Sequence, residues 1–243
     1  MWELYDRLID EIPDDVFVEE FVCGNTWTAV KSSRGAVGLA MTTPVQTLPD
    51  SGRAIIGESL KSVVQLIKSW NFIDAGIGMA AINAWYNSVE RLNEFDALQR
   101  DSRFCSFDIP FEGKNVCMVG ALKYPEGMFD SAKSMIIMER NLIDGTYPDS
   151  ACEYYLPQSD LVIITGSAFI NKTMPRLMKL AANAQVVITG PSTPMTPMLM
   201  EYGVRRLTGL IVTQPQECMA FAESGVHATP YRFGERYYLD GLR

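Results

Sequence analysis

Apolar and polar positions follow different rhythms in the two halves of this chain. Val16 to Cys23 is β-rich, Gly24-Asn25 supplies a two-residue turn, and Thr26 to Lys31 returns, which predicts a hairpin. Ser32 to Gly35 turns again, and Ala36 to Met41 gives a third strand. Helical spacing takes over from Glu58 to Trp70, where Leu60, Val63, Val64, Ile67 and Trp70 form one face and Lys61, Ser62, Gln65 and Lys68 the other. A further helix is predicted through Val89, with Asp74 as its cap. Its face of Ile77, Ala80, Ala81, Ala84, Trp85 and Val89 is wide and rich in small residues, suited to close packing. An acidic amphipathic helix within Met1 to Asp15 precedes these elements. A β-meander plus helices is an α+β order.

After a charged, polar link from Glu90 to Arg103 the pattern changes, which places a domain boundary there and divides the chain into residues 1–103 and 104–243. Short apolar runs at Val116 to Val119, Met135 to Met138, Leu161 to Thr165, Val186 to Thr189 and Leu210 to Val212 suit strands covered on both faces. Helical candidates at Ser150 to Leu156, Met174 to Ala184, Pro197 to Tyr202 and Pro215 to Ser224 lie between or after them, the last closed by Gly225. This alternation predicts an α/β domain with a Rossmann-like parallel sheet.

Ligands of such sheets bind beyond the carboxyl ends of the strands, so the loops there carry the candidate chemistry. The first, from Gly120 through Lys123 to Pro125, has one glycine where a dinucleotide fingerprint needs three, which weakens an NAD reading. Glu139, 19 residues after Gly120, stands where an acidic side chain accepts hydrogen bonds from a ribose or similar hydroxyls. In the loop from Thr165 to Thr173, Gly166 lets backbone approach a ligand beside Ser167. Asn171 or Thr173 is expected to cap the helix begun by Met174-Pro175 and to present free N–H groups to an anion. The loop Gly190-Pro191-Ser192-Thr193-Pro194 holds two hydroxyls on a proline-stiffened frame.

Composition narrows the partners. The net charge of −8 and the absence of any concentrated Lys and Arg argue against nucleic acid. No apolar run approaches the roughly 20 residues of a membrane span, and the N-terminus lacks a signal peptide's regions, so a cytoplasmic location is expected. The five cysteines, with no CxxC, read as reduced, small core residues, and the 13 methionines as core filling. A single histidine, His227, excludes HExxH and His-rich metal sites and reads as structural. No P-loop occurs, and Glu58, Glu139, Asp144 and Glu153 form no recognised cation-binding spacing, so no protein metal site is assigned.

The segment Ala80-Ala81-Ile82-Asn83-Ala84, the run Asp160-Leu161-Val162-Ile163-Ile164-Thr165-Gly166-Ser167-Ala168 with Asn171-Lys172-Thr173, and Gly190-Pro191-Ser192-Thr193-Pro194 together resemble the putative heavy-metal chelation family. The resemblance covers nearly the whole chain. It implies an enolase N-terminal-like domain followed by a Rossmann-like domain that partly resembles methyltransferases, with a site at their interface. It also implies condensation or hydrolysis of molecules on routes to flavins, pterins or metal-chelating compounds. Asn83, with two donors and an acceptor on an apolar helix, is expected to face that cleft, and Thr42 and Thr43 to complete it from the other lobe.

Three functions are weighed. The first is an enzyme acting on a heteroaromatic or nucleotide-like metabolite, with Lys123 and Glu139 as acid or base and with Gly120, Asn83, Thr43, Thr165, Gly166, Ser167, Asn171, Thr173, Gly190, Pro191, Ser192 and Thr193 as ligand-binding residues. The second is a non-catalytic binder or carrier of a metal chelate. The third is methyl transfer from S-adenosylmethionine, suggested by Glu139 and the single-glycine loop. No cofactor is assigned, and a homodimer is expected from the frequency of two-fold dimers alone.

Overall fold

The computed structural model describes residues 2–43, 54–92, 94, 98–100 and 109–241. The opening helix α1 (Glu3–Asp10) buries Leu4, Tyr5, Leu8 and Ile9 on one face. The predicted meander follows as β1 (Val18–Cys23), β2 (Trp27–Ser32) and β3 (Val37–Met41), paired antiparallel in that order.

The helix expected from Glu58 to Trp70 is broken. It is one turn, α2 (Leu60–Val63), capped by the Ser59 hydroxyl accepting from Ser62 N, and then a 3-10 segment over Val64–Lys68. Three β-branched residues, Val63, Val64 and Ile67, crowd these turns, and Trp70 lies outside them with 73% exposure. Next, α3 (Phe72–Tyr86) is capped by Asn71, whose Oδ1 accepts from Ile73 N at 2.9 Å, and not by Asp74, which sits in the first turn.

Every residue of α3 from Ala75 to Tyr86 is buried. A helix apolar all round must be covered all round, and α3 packs between the meander strands and the 3-10 segment Val64–Lys68. Its small residues set the spacing. A β-carbon on Gly38 of β3 would stand 2.0 Å from Ala84 N and 2.1 Å from Ala80 O, so strand and helix backbones touch. The meander's other face, Trp27, Ala29, Val37 and Leu39, joins a second core with Leu210, Cys218, Met219 and Phe221.

Of the expected link from Glu90 to Arg103, residues 93, 95–97 and 101–103 lie outside the described residues. The rest includes α4 (Val89–Leu92) and β4 (Leu98–Arg100). The second lobe continues with β5 (Asn115–Val119), β6 (Ser134–Glu139), β7 (Tyr147–Pro148), α5 (Cys152–Tyr155), β8 (Leu161–Thr165), α6 (Met174–Leu180), β9 (Gln185–Thr189), β10 (Val204–Val212), α7 (Pro215–Glu223) and β11 (Gly234–Asp240). These strands form one sheet in the order β4-β11-β10-β9-β8-β5-β6-β7. The pairings from β10 across to β7 are parallel, and β11 and β4 close one edge antiparallel. Counted from β5, the parallel strands lie in the 3-2-1-4-5-6 order of a Rossmann sheet. Winding reverses between β5 and β8, and a crevice opens there because the two following chain segments leave in opposite directions.

Candidate functional site

A cavity of about 390 Å³ lies at this reversal point, beyond the carboxyl ends of β5, β6 and β8. The Rossmann lobe supplies the floor through Val119, Gly120, Met138 and Glu139. Thr165, Ser167, Asn171, Thr173, Arg176 and Leu177 form one wall, and Arg140, Asn141, Asp149 and Cys152 another. The first lobe closes the cavity with Met41, Thr42 and Thr43 from the end of β3 and with Phe72 from the start of α3.

The floor depends on local backbone choices. Gly120 has φ +95°, and a β-carbon there would meet Thr165 Cγ2 at 2.8 Å, so glycine lets the β5 loop close over β8. Glu139 holds that loop in place. One carboxylate oxygen accepts from Ala121 N at 2.9 Å; the other accepts from Arg140 N at 2.8 Å and Asn141 N at 3.3 Å. The Thr165 hydroxyl accepts from Ser167 N at 3.3 Å and shapes the turn that presents Ser167, whose hydroxyl lies 3.8 Å from Met41 Sδ across the lobes.

Eight of the residues singled out from sequence meet at this cavity: Gly120, Glu139, Thr42, Thr43, Thr165, Ser167, Asn171 and Thr173. Several others stand elsewhere. Lys123 is exposed on the loop beyond Gly120 and does not line the cavity. Asn83 is fully buried and, instead of facing the cleft, donates to Leu39 O at 2.7 Å and Pro191 O at 3.5 Å. Gly166, Gly190, Pro191, Ser192 and Thr193 fasten the lobes beside the cavity and lie outside its lining. Ser192 Oγ accepts from Met41 N at 2.9 Å, Thr193 O accepts from Asn87 Nδ2 at 2.9 Å, and a β-carbon on Gly166 would meet Ser192 C and Thr193 N at 2.7 Å. The stiff proline frame therefore acts on the lining indirectly, by setting where β3 delivers Met41 to Thr43.

The expected cap of α6 is also replaced. Thr173 occupies the cap position without a side-chain hydrogen bond to the helix, and Asn171 Oδ1 accepts instead from Thr173 N and Thr173 Oγ1. Phe72, Arg140, Arg176 and Cys152 were not anticipated from sequence. Arg140 follows Glu139 directly and could have been found by reading one residue past the strand end. Phe72 and Cys152 reach the cavity only through tertiary packing. Of the cysteines, Cys117, Cys152 and Cys218 are buried as expected, Cys23 is exposed, and Cys105 lies outside the described residues. His227 is exposed. Among the described residues, no helix is long and apolar enough to cross a membrane.

A family profile described as "Putative heavy-metal chelation" matches residues 106–239, and a second with the same description matches residues 5–86. The chain belongs to this putative heavy-metal chelation family. A crystal structure of a family protein with unknown function from Desulfitobacterium hafniense superposes with a TM-score of 0.89 at 32% identity, covering 99% of this chain and 98% of that one. Another from Pyrococcus horikoshii gives 0.78 at 22% identity, with 98% of each chain covered, a likeness of fold. An uncharacterized protein of Methanocaldococcus jannaschii is 25% identical over 96% of this chain and 93% of its own length.

The family description raises the question of whether a heavy-metal ion fits this cavity directly, and the donors present do not suit one. Among the described residues, no three His, Cys, Asp or Glu side chains gather into a metal-holding group. Glu139 already accepts three backbone N–H groups, and Arg176 Nε pairs with Glu153 at 2.6 Å. Burial pushes the Cys152 thiol up to about 11, so it stays protonated near neutrality and offers little of the thiolate that soft metals select. The lining is mixed instead: apolar Met41, Phe72, Val119, Met138 and Leu177 surround the cavity, with hydroxyls, two side-chain amides and two guanidinium groups at defined points.

Proposed function

We propose that this protein binds a small pterin-, flavin- or chelator-related metabolite in the interlobe cavity and catalyses its condensation or hydrolysis. One observation carries the binding: a cavity at the winding reversal of a Rossmann sheet, closed by a second lobe through Met41 to Thr43 and Phe72. Its volume of about 390 Å³ suits a heteroaromatic metabolite. Flat apolar contact comes from Phe72 and Met138. Thr165, Ser167 and Thr173 meet ring oxygens or nitrogens, and Arg140 and Arg176 meet a carboxylate or phosphate. Linkage to heavy metals then runs through the metabolite, as a chelator or its precursor.

The carrier reading is favoured by two facts: Glu139 is committed to backbone N–H groups, and Lys123 stands outside the cavity. Methyl transfer draws on the placement of Gly120 just after the first strand of the Rossmann order and Glu139 at the end of the second, and calorimetry with S-adenosylmethionine tests it; no heat removes it.

The main test is mass spectrometry of the natively purified chain. The expected result is a stoichiometric small molecule that is released on denaturation and absent from Ser167→Phe, whose ring projects into the cavity and obstructs it. A Ser167→Phe chain that folds and carries the same molecule at the same occupancy would place the ligand elsewhere.

A further inference from the structure

Lys172 lies between two residues of the cavity wall, Asn171 and Thr173. Its φ is +65°, and among the described residues it alone enters the left-handed region without being glycine. That conformation costs a residue with a β-carbon about 1 kcal/mol or more. Asn171 maintains it: Oδ1 accepts from Thr173 N at 3.1 Å and Thr173 Oγ1 at 2.6 Å, closing a turn around the lysine.

The turn sends the side chain towards the start of α3. Nζ donates to Ile170 O at 2.8 Å and lies 5.6 Å from the centroid of Phe72, itself part of the cavity wall. Asp74, two residues further along α3, acts on the same ammonium through its charge. Its Oδ2 accepts from Ser69 Oγ at 3.0 Å, while Oδ1 is sealed from solvent and has no hydrogen-bond partner. Lys172 forms no ion pair with a described residue. The other charged group at this ring is Arg140, also 5.6 Å from the Phe72 centroid. A half-buried ammonium held by a carbonyl and a ring, beside a carboxylate oxygen with nothing to accept, is an unsettled arrangement. Lys172 is not itself a lining residue; strained backbone holds it between Asn171 and Thr173 and beside the Phe72 ring, all three of which line the cavity. Burial lowers the ammonium to about 8, against the opposing pull of Asp74, so both protonation states are accessible near neutral pH.

We infer that Lys172 is the proton-transfer group of this cavity, exchanging a proton with an ionisable O–H or N–H of the bound ligand directly or through one water, and that Asp74 is its positioning carboxylate. The inference rests on the binding proposed above. In the forward step the ligand's O–H or N–H bond breaks, its electron pair stays on the ligand, and a new N–H bond forms on the neutral amine. The ammonium so formed keeps Ile170 O, the Phe72 ring and Asp74. The reverse transfer restores both partners. The ligand class this favours is an enol, phenol or ring lactam, whose donor atom must shed its proton before it attacks an electrophile or takes a metal.

The test is competitive labelling of the full chain with fluorodinitrobenzene across neutral to alkaline pH, read lysine by lysine by mass spectrometry. Lys172 is expected to label with a midpoint near 8 and, at that pH, about tenfold or more faster than the average lysine of the chain. Asp74→Asn removes the charge that favours the ammonium, so the midpoint should move lower, and Asp74→Glu should largely return it. A Lys172 midpoint equal to that of the other lysines, no labelling at any pH, or no movement in Asp74→Asn would each overturn the inference. Ligand retention separates this from the binding reading. Copurified ligand lost from the wild-type chain with pH but held independently of pH by Lys172→Met supports the inference. The same pH dependence in both chains sinks it and leaves binding intact. Absence of any ligand from the wild-type chain defeats the binding reading, while the labelling midpoint still tests the amine.

Discussion

Glu139 ties two strand-end loops together with one carboxylate, both of whose oxygens accept from N–H donors. Glutamine keeps the size but turns an NH₂ group towards one of those donors. Glu139→Gln is therefore expected to release either Ala121 or Arg140, at about 1–2 kcal/mol for a partly exposed charge-assisted bond. Amide hydrogen exchange at the two residues should show one of them speeding up about tenfold; unchanged protection at both would mean the carboxylate is not what orders the floor. Lys172 gives a pH signature of its own. Its folded-state value of about 8 lies below the ordinary 10.5, so within that interval the unfolded chain binds more protons and this group's contribution to stability rises with pH. Below about 8 the burial penalty is fully present. The stability difference between wild type and Lys172→Met, measured by urea unfolding, should shift in favour of the wild type as pH rises through this interval, and a flat difference would show the lysine titrating alike in both states. Sequence pointed to the Asn171-Lys172-Thr173 run but selected the flanking polar residues. The lysine's distinction is conformational, a left-handed backbone and a burial that arise only when α3 packs against it.

At the scale of elements, packing of α3 on β3 decides where Met41, Thr42, Thr43 and Phe72 arrive. Gly38→Ala puts a methyl group 2.0 Å from Ala84 N, a collision with helix backbone that side-chain movement cannot relieve. A loss of about 3 kcal/mol or more is expected, read as a lowered urea midpoint. Gly76→Ala is the control, since its methyl group would meet Thr28 Oγ1 at an ordinary 3.7 Å and helix propensity then favours alanine by about 0.5–1 kcal/mol. Asn87, just past α3, donates to Thr193 O and accepts from Met195 N at 2.9 Å. Asn87→Ala leaves both backbone groups buried and unpaired, with an expected cost of about 2–4 kcal/mol and disturbance of the Gly190 loop. The strands that sequence reading located best are the central ones: Leu161 to Thr165 coincides with β8, and the runs at Val116, Met135 and Val186 differ from β5, β6 and β9 by a residue or so at their ends. These are apolar on both faces and announce themselves. β10 begins six residues before the expected Leu210, because Arg205 and Arg206 interrupt its apolar run. Arg206 is tolerated there by two bonds to Asp240, at 2.6 and 2.8 Å, on β11. β11 itself, GERYYLD, was missed because an antiparallel strand at the sheet margin stays half-exposed and carries no apolar run.

Across the whole molecule, the two family profiles divide a chain whose interior does not divide. One core cluster takes in Tyr5 and Leu8 of α1, Ile82 and Tyr86 of α3, Ile164 of β8, Phe169, Leu177 of α6 and Met195. The Tyr5 hydroxyl donates to Phe169 O at 2.9 Å, so the first helix is pinned to the loop that shapes the cavity wall. Lobes that share a core this way should unfold together. The positions of the tryptophans make this measurable, since Trp2, Trp27, Trp70 and Trp85 all belong to the first lobe. Their fluorescence is expected to give the same denaturant midpoint as amide protection in β8, which reports the Rossmann sheet. A ligand seated in the cavity touches both lobes and should raise both midpoints equally, the whole chain being stabilised by RT ln(1 + [L]/Kd). Tryptophan fluorescence that changes at lower denaturant than β8 protection would show the first lobe detaching before the sheet melts. In that case Met41 to Thr43 and Phe72 would form a lid with its own equilibrium, and ligand would raise the first midpoint alone.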